Sequence, residues 1–289
     1  MRLCLRCDTR FDGIDWTCPR CAFAPGLDRA FPVFAPDLAD GNAADTVYHH
    51  DALRRADEEH FWFDARRRLI VWAIRRYLGD PGSVLDVGCG NGGVLAAIRQ
   101  EFPGARLSGC DALCAALAIA RPSLPDATLV QLDIRCLPFD REFDLVTAFD
   151  VLEHLDDDEL VLRQMHRGTK GGGGLVLTVP QHPWLWSELD ARTGHRRRYT
   201  RQDLADKVRR AGFAILAMTS FMTLVLPAIG AARFRKRRAT TIDQDEELQL
   251  PSAVNAVLHA LCVLERAAIV RGVSLPVGGS LLLVGRRVE

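Results

Sequence analysis

The sequence predicts an α/β protein, a doubly wound, mostly parallel sheet of seven strands with helices on both faces, preceded by a small metal-dependent module. Three observations carry that prediction. From residue 84 onward, short apolar runs ending at an acid or a glycine turn alternate with stretches of helical periodicity. Gly88, Gly90 and Gly92 join the first such strand to its helix. Near the N-terminus, two Cys-x-x-Cys pairs stand ten residues apart.

In chain order, Cys4, Cys7, Cys18 and Cys21 supply four thiolates at the spacing of a tetrahedral zinc site, so residues 1–25 resemble a zinc ribbon. A redox pair is the alternative, but neither motif sits between a strand and a helix as a thioredoxin-like pair would. Such a short segment cannot fold on apolar burial, so structural zinc would supply its stability. Residues 24–45 hold three prolines and two glycines, which places a linker at 26–47. Residues 48–80 form a helical cap. His60, Phe61, Trp62 and Phe63 open it, and Leu69, Ile70, Ala73, Ile74 and Tyr77 make one apolar face before Gly79 and Pro81 stop the helix.

The core is assigned to residues 81–221. Val84, Leu85 and Val87 flank Asp86 in the first strand, and Val94, Leu95, Ile98 and Phe102 follow at helical spacing. Glycine accepts turn dihedrals closed to other residues and lets a ligand approach the backbone. A carboxylate beside that loop would repel a pyrophosphate, so Asp86 suits a cationic or hydroxyl-bearing ligand. Later strands are expected at 106–110, 128–132, 143–149, 175–179 and 213–221, with Asp111, Asp133 and Asp150 following three of them. Glycines at 171–174 permit a sharp entry into the fifth. Thr200 with Asp203 starts a helix that Gly212 closes. Residues 213–232 are uncharged, but Pro227 and Gly230 favour a strand and a short helix over a membrane span. Residues 222–272 are read as a helical insertion or lid, with Val254, Val257, Leu258, Leu261 and Leu264 on one helix face. Residues 273–289 hold the last strand.

The acid-x-Gly-x-Gly-x-Gly pattern of Asp86, Gly88, Gly90 and Gly92 resembles motif I of the Rossmann-like (class I) S-adenosylmethionine-dependent methyltransferases. The segment from Phe143 and Asp144 to Leu152, Glu153 and His154 is similar to another stretch of that family. The resemblance implies S-adenosylmethionine as cofactor and an antiparallel last strand. It places Asp86 and the three glycines at the cofactor, Asp111 on both ribose hydroxyls with Leu113 nearby, and Asp133 on the adenine amino group. Ile134 would lie against the ring and Phe149 beside the cofactor. Glu153 and His154 would face the acceptor. His154, then His195, are the candidates for a general base, a role needed only if the acceptor must lose a proton. Asp150, Glu153 and His154 at i, i+3 and i+4 would share a helical face able to hold a divalent cation.

A net charge of +0 excludes bulk attraction to polyanions. Cys89, Cys110, Cys114, Cys136 and Cys262 lie scattered among apolar neighbours, and no apolar leader opens the chain, which points to the cytoplasm. The expected acceptor is a small or lipid-linked molecule, taken by O-methylation. An apolar stretch at 222–232 followed by Arg233, Arg235, Lys236, Arg237 and Arg238 suggests peripheral contact with the inner membrane face. The rival reading is RNA methylation, with the ribbon, Arg196, Arg197 and Arg198 and the basic block from Arg233 to Arg238 gripping phosphates, because the arrangement also resembles certain ribosomal RNA guanine methyltransferases.

Overall fold

The structure, a computed structural model, describes residues 1–13, 15–40, 60–228 and 250–288. A hairpin opens the chain, β1 (Arg2–Leu3) with β2 (Arg10–Phe11). A second hairpin follows, β3 (Gly26–Asp28) with β4 (Phe31–Val33), then the short helix α1 (Pro36–Ala39). After α2 (Phe61–Tyr77), the chain alternates through β5 (Ser83–Val87), α3 (Gly93–Glu101), β6 (Arg106–Asp111), α4 (Cys114–Ala120), β7 (Thr128–Gln131) and β8 (Phe143–Phe149). It continues with α5 (Asp158–Gly168), β9 (Thr169–Pro180), α6 (Glu188–Arg192), α7 (Arg201–Arg210), β10 (Phe213–Phe221), α8 (Ser252–Val270) and β11 (Ser280–Arg287).

The main sheet has the order β10-β11-β9-β8-β5-β6-β7-β4-β3. β5 to β9 run parallel, and β11 lies antiparallel between β9 and β10. Seven of these strands are the predicted ones. Alternate strand residues enter two separate cores, because both faces of the sheet are covered. Val84, Leu145, Leu282 and Val284 pack with α2, α3, α4 and α8, whereas Leu85, Val146, Leu281 and Leu283 pack with α5 and α7.

The sheet has nine strands among the described residues, and the extra two come from the expected linker. Phe31 and Val33 are buried with Pro32 between them, so the period is that of a strand. β4 is second from the edge and meets β7 at one residue pair, Val33 beside Gln131, so the ladder on that side asks little of it and the missing N–H of Pro32 is tolerated. The Gln131 amide closes the junction: its oxygen accepts from Ala35 N (3.1 Å) and its nitrogen donates to Ala35 O (2.8 Å). Residues 41–47 of that linker lie outside the described residues, as does the cap before residue 60.

The glycines at 171–174 lie within β9, where they absorb a bulge rather than a turn. Phe143 pairs with Thr169, yet Leu145 pairs with Gly174. A Cβ on Gly174 would stand 2.5 Å from Leu78 Cδ1, so any larger residue there would require the Leu78 side chain at the end of α2 to move.

The stretch beginning at residue 222 also differs from expectation. Met222 and Val225 are buried in the core, while Leu224 is exposed. Glu265 of α8 holds this turn, its carboxylate accepting from the backbone amides of Met222 (2.6 Å), Thr223 (2.6 Å) and Leu224 (2.9 Å). Residues 229–249, with the basic block at Arg233 to Arg238, lie outside the described residues. The apolar set expected on one face of α8 is divided. Val254, Val257 and Leu264 are exposed, and the helix inserts Cys262, Glu265 and Ile269 instead. Helix α8 is long and apolar enough to cross a membrane by length and composition alone.

Candidate active site

The four N-terminal cysteines converge. Cys4 Sγ lies 3.6 Å from Cys21 Sγ, and Cys7 Sγ lies 3.6 Å from Cys18 Sγ. Four thiolates about 2.3 Å from a tetrahedral zinc would stand about 3.8 Å apart, so the set fits the ion. The two knuckles repeat one backbone pattern. Asp8 N and Ala22 N donate back to Cys4 O and Cys18 O, while Cys4 N and Cys18 N donate to Thr9 O and Phe23 O. Asp8 and Ala22 both take φ of 55°. The ribbon is docked on the body of the protein. Leu3 N donates to Pro138 O (2.9 Å), Asp140 N to Met1 O (3.0 Å), Arg10 pairs with Asp140, and the Trp16 ring meets Phe34 and Phe139 edge-on.

At the carboxyl end of β5, Gly88, Gly90 and Gly92 take φ of 71°, 53° and 77°. A Cβ on Gly88 would stand 2.6 Å from Val151, and one on Gly92 2.8 Å from Leu124. A Cβ on Gly90 would meet nothing within 4 Å, so the middle of the loop faces open space. Asp111, at the end of β6, accepts from Gly90 N (2.9 Å) and Leu113 N (3.0 Å). A carboxylate oxygen carries two lone pairs, so a bond from an amide does not by itself bar a ligand hydroxyl. Asp86 is buried and accepts from Thr147 Oγ1 at 2.8 Å. Burial pushes its carboxyl up to about 7, against the Thr147 hydrogen bond and the Arg66 charge, with repulsion from Asp111 adding to the rise.

Asp133 is differently placed. Arg135 grips both its oxygens, at 2.9, 3.0 and 2.7 Å, so any adenine contact there would share a carboxylate already paired. Burial would raise its pKa, but the Arg135 bonds outweigh that and hold it below the usual range. Ile134 packs against the core beside it, and Phe149 is buried at the end of β8.

Beyond β8 the expected helical face does not form. Asp150 takes φ of 57°, and only Leu152–His154 makes a 3-10 turn. Asp150 therefore turns away, to Arg66 and to Thr178 Oγ1 (3.0 Å), and Glu153 and His154 meet His195 instead. The His154 and His195 rings are 4.8 Å apart, edge to face. His195 Nδ1 lies 3.0 Å from Asp190 Oδ1. Asp190 is a buried hub that also accepts from Ser187 N (2.7 Å) and Arg198 Nε (2.8 Å). Burial opposes its charge, but the His195 and Arg198 bonds prevail and keep it ionised far below the usual range. Glu153 is fully buried, and neither carboxylate oxygen has a hydrogen-bond partner among the described residues. Burial and the nearby Asp150 push its carboxyl well above the ordinary range.

Sequence reasoning missed Arg66, Thr147 and Asp190. Arg66 reaches Asp150 from α2 while stacking on Trp62 at 4.4 Å, so the aromatic block serves both packing and the site. His60 is structural: its Nδ1 accepts from Trp62 N at 3.3 Å as the cap of α2. The basic triplet is largely internal. Arg198 is tied to Asp190 and Gln181 O, Arg197 to Asp158 and Asp156 O, which leaves Arg196 alone well exposed.

A glycine loop leaves one strand, with acids at that strand and the next, which is the arrangement of a nucleoside-binding site in the Rossmann-like class. The family model for the methyltransferase domain matches residues 54–218, and the chain belongs to that family. S-adenosylmethionine is the cofactor of these methyltransferases. A trans-aconitate 2-methyltransferase from Azoarcus sp. (strain BH72) is 32% identical over 128 residues, 44% of this chain and 51% of the relative. The chain spans about half the length of the curated relatives it matches. Among solved structures, the [4+2]-cyclase SpnF aligns with a TM-score of 0.53 at 22% identity, covering 78% of this chain and 83% of that one. Geranyl diphosphate C-methyltransferase from Streptomyces coelicolor A3(2) aligns with a TM-score of 0.54 at 15% identity, covering 78% and 77%. These two likenesses speak to the fold alone.

Proposed function

We propose that this protein transfers the methyl group of S-adenosylmethionine to an oxygen of a small-molecule acceptor. The observation that carries the reading is the left-handed glycine loop whose central amide, Gly90 N, is bonded to Asp111. That bond sets loop and ribose acid at one distance from a shared ligand. Asp86, Gly88, Gly90, Gly92, Asp111 and Leu113 would hold the nucleoside and its cationic amino acid part, with Asp133, Ile134 and Phe149 around the base.

When bound, the cofactor supplies a sulfonium-activated methyl group with an excellent leaving group. The protein's own work is then positioning and exclusion of water. Arg66 balances Asp86, Asp150 and Glu153, so the site can hold several buried carboxylates. Asp190 fixes the His195 tautomer in which Nδ1 carries the proton and Nε2 the lone pair. His154 and His195 are the groups placed to take a proton from a hydroxyl acceptor as its oxygen is methylated.

An oxygen acceptor is favoured by the relatives named for trans-aconitate. RNA is disfavoured, because Arg197 and Arg198 are engaged inside the fold and Arg10 with Asp140. A lipid-linked acceptor at the inner membrane face has one supporting feature, the exposed Val257 and Leu264 of α8. Calorimetry with S-adenosylhomocysteine, then transfer of labelled methyl from S-adenosylmethionine to separate pools of organic acids, lipids and RNA, tests the reading. Micromolar binding and label in the organic acids are expected. No binding at about 1 mM ligand would overturn it.

A further inference from the structure

We infer that Glu153, His154 and His195 form a second metal site, separate from the cysteine cluster, which takes a divalent first-row transition cation. One carboxylate oxygen and two ring nitrogens lie within 4.8 Å of one another. Ligands about 2.0–2.2 Å from a tetrahedral ion stand about 3.4 Å apart, so small rotations of the half-buried histidines would close the set. The donors come from two places in the chain. Glu153 and His154 belong to the 3-10 turn after β8, and His195 to the loop after α6. Backbone bonding fixes their proximity, since Arg196 N donates to Glu153 O at 2.6 Å.

Two further observations point to an ion. Glu153 is wholly enclosed, yet neither of its oxygens accepts a hydrogen bond among the described residues. A buried carboxylate without donors is costly, and a cation is the partner that removes the cost. His195 also has the outer partner that metal-bound histidines use: its Nδ1 faces the buried Asp190, which leaves Nε2 as the atom that would ligate. One carboxylate and two imidazoles suit zinc, manganese or iron rather than magnesium or calcium. Three protein ligands leave positions open, the arrangement of a working site rather than a closed structural one. Only what the ion does rests on the proposed methyl transfer: with both imidazoles ligating, the ion would replace them as the activating group, binding the acceptor's oxygen and easing loss of its proton to solvent.

The test uses the full chain, stripped of metal and reloaded with zinc or cobalt(II). Elemental analysis should find two equivalents per chain in the parent, and one in both a Cys4→Ser/Cys7→Ser variant and a His154→Ala/His195→Ala variant. Cobalt in the cysteine variant should lack the thiolate charge-transfer band. Asp190→Asn should weaken the second equivalent by about 10–100-fold without removing it. Glu153→Gln, close in shape, serves if the histidine variant fails to fold, and should also lose one equivalent. A single equivalent in the parent, or unaltered loading in the Glu153→Gln variant, would overturn the site. Binding of S-adenosylhomocysteine, measured on the same samples, reports separately on the methyltransferase reading.

Discussion

The two halves of the candidate site are built by different means. On the β5–β7 side, the contacts use the backbone: Gly88, Gly90 and Gly92 shape a loop, and Asp111 bonds two amides, Gly90 N and Leu113 N. On the β8–β9 side, side chains hold one another. Arg66 reaches Asp150, Asp190 orients His195, and Asp158 accepts from Tyr199 Oη (2.7 Å) and Lys207 Nζ (2.6 Å). A backbone-built half depends little on any one side chain, whereas a half built from paired side chains is weakened wherever one partner is lost.

The sharpest way to separate the halves is to break the second without touching the first. Asp158→Ala leaves Lys207 and the Tyr199 hydroxyl buried without their shared acceptor, at a cost of about 3–5 kcal/mol in urea unfolding. Below the unfolding transition its affinity for S-adenosylhomocysteine should equal that of the parent. Lost affinity in folded protein would show that the halves are coupled.

A smaller effect is expected from the reverse experiment. Asp111→Ala removes the acceptor for Gly90 N and the proposed acceptor for the ribose, and should weaken S-adenosylhomocysteine binding by about 1–3 kcal/mol in calorimetry. Metal loading at Glu153, His154 and His195 should not change. Unaltered nucleoside affinity would remove Asp111 from the site.

The smallest effect is one of pH. Because the Asp86 carboxyl sits at about 7, a ligand cation that prefers the carboxylate must displace its proton below that pH. Affinity for S-adenosylmethionine should then fall by up to about tenfold per unit as pH drops below 7, and Asp86→Asn should flatten the profile. Folding carries the opposite sign: a carboxyl raised from 3.8 to about 7 costs stability as pH rises through that window, and Asp86→Asn escapes the loss. A parent profile as flat as the variant's would show that Asp86 does not meet the cation.

This contrast also explains what the sequence disclosed. Glycines at alternate positions and acids after apolar runs are short-range patterns, and the structure keeps Asp86, Gly88, Gly90, Gly92 and Asp111 together at adjacent strand ends. The cysteines were legible because all four fall within residues 4–21 and converge. Asp190 had a faint signal, the capping-box spacing from Ser187, which hinted at a helix start but not at His195. Arg66 had none, since nothing in residues 60–77 marks one arginine of several as the partner of Asp150. Asp150 misled the reading because helical spacing presumes helical dihedrals, and its backbone is left-handed. The hairpin of β3 and β4 was hidden by its shortness and by Pro32, which β4 tolerates because it meets β7 at a single residue pair.

The docking of the ribbon has a consequence for the order in which the chain takes shape. Its ligands are complete by residue 21, but the surface that receives it, from Pro138 to Phe143, and the strand that receives β4 are synthesised more than a hundred residues later. At about 5–20 residues per second, a zinc-loaded ribbon would wait on the order of ten seconds for its platform. Until then the second hairpin has no β7 to pair with. The last step on that flank is therefore the joining of the first-made part of the chain to its middle.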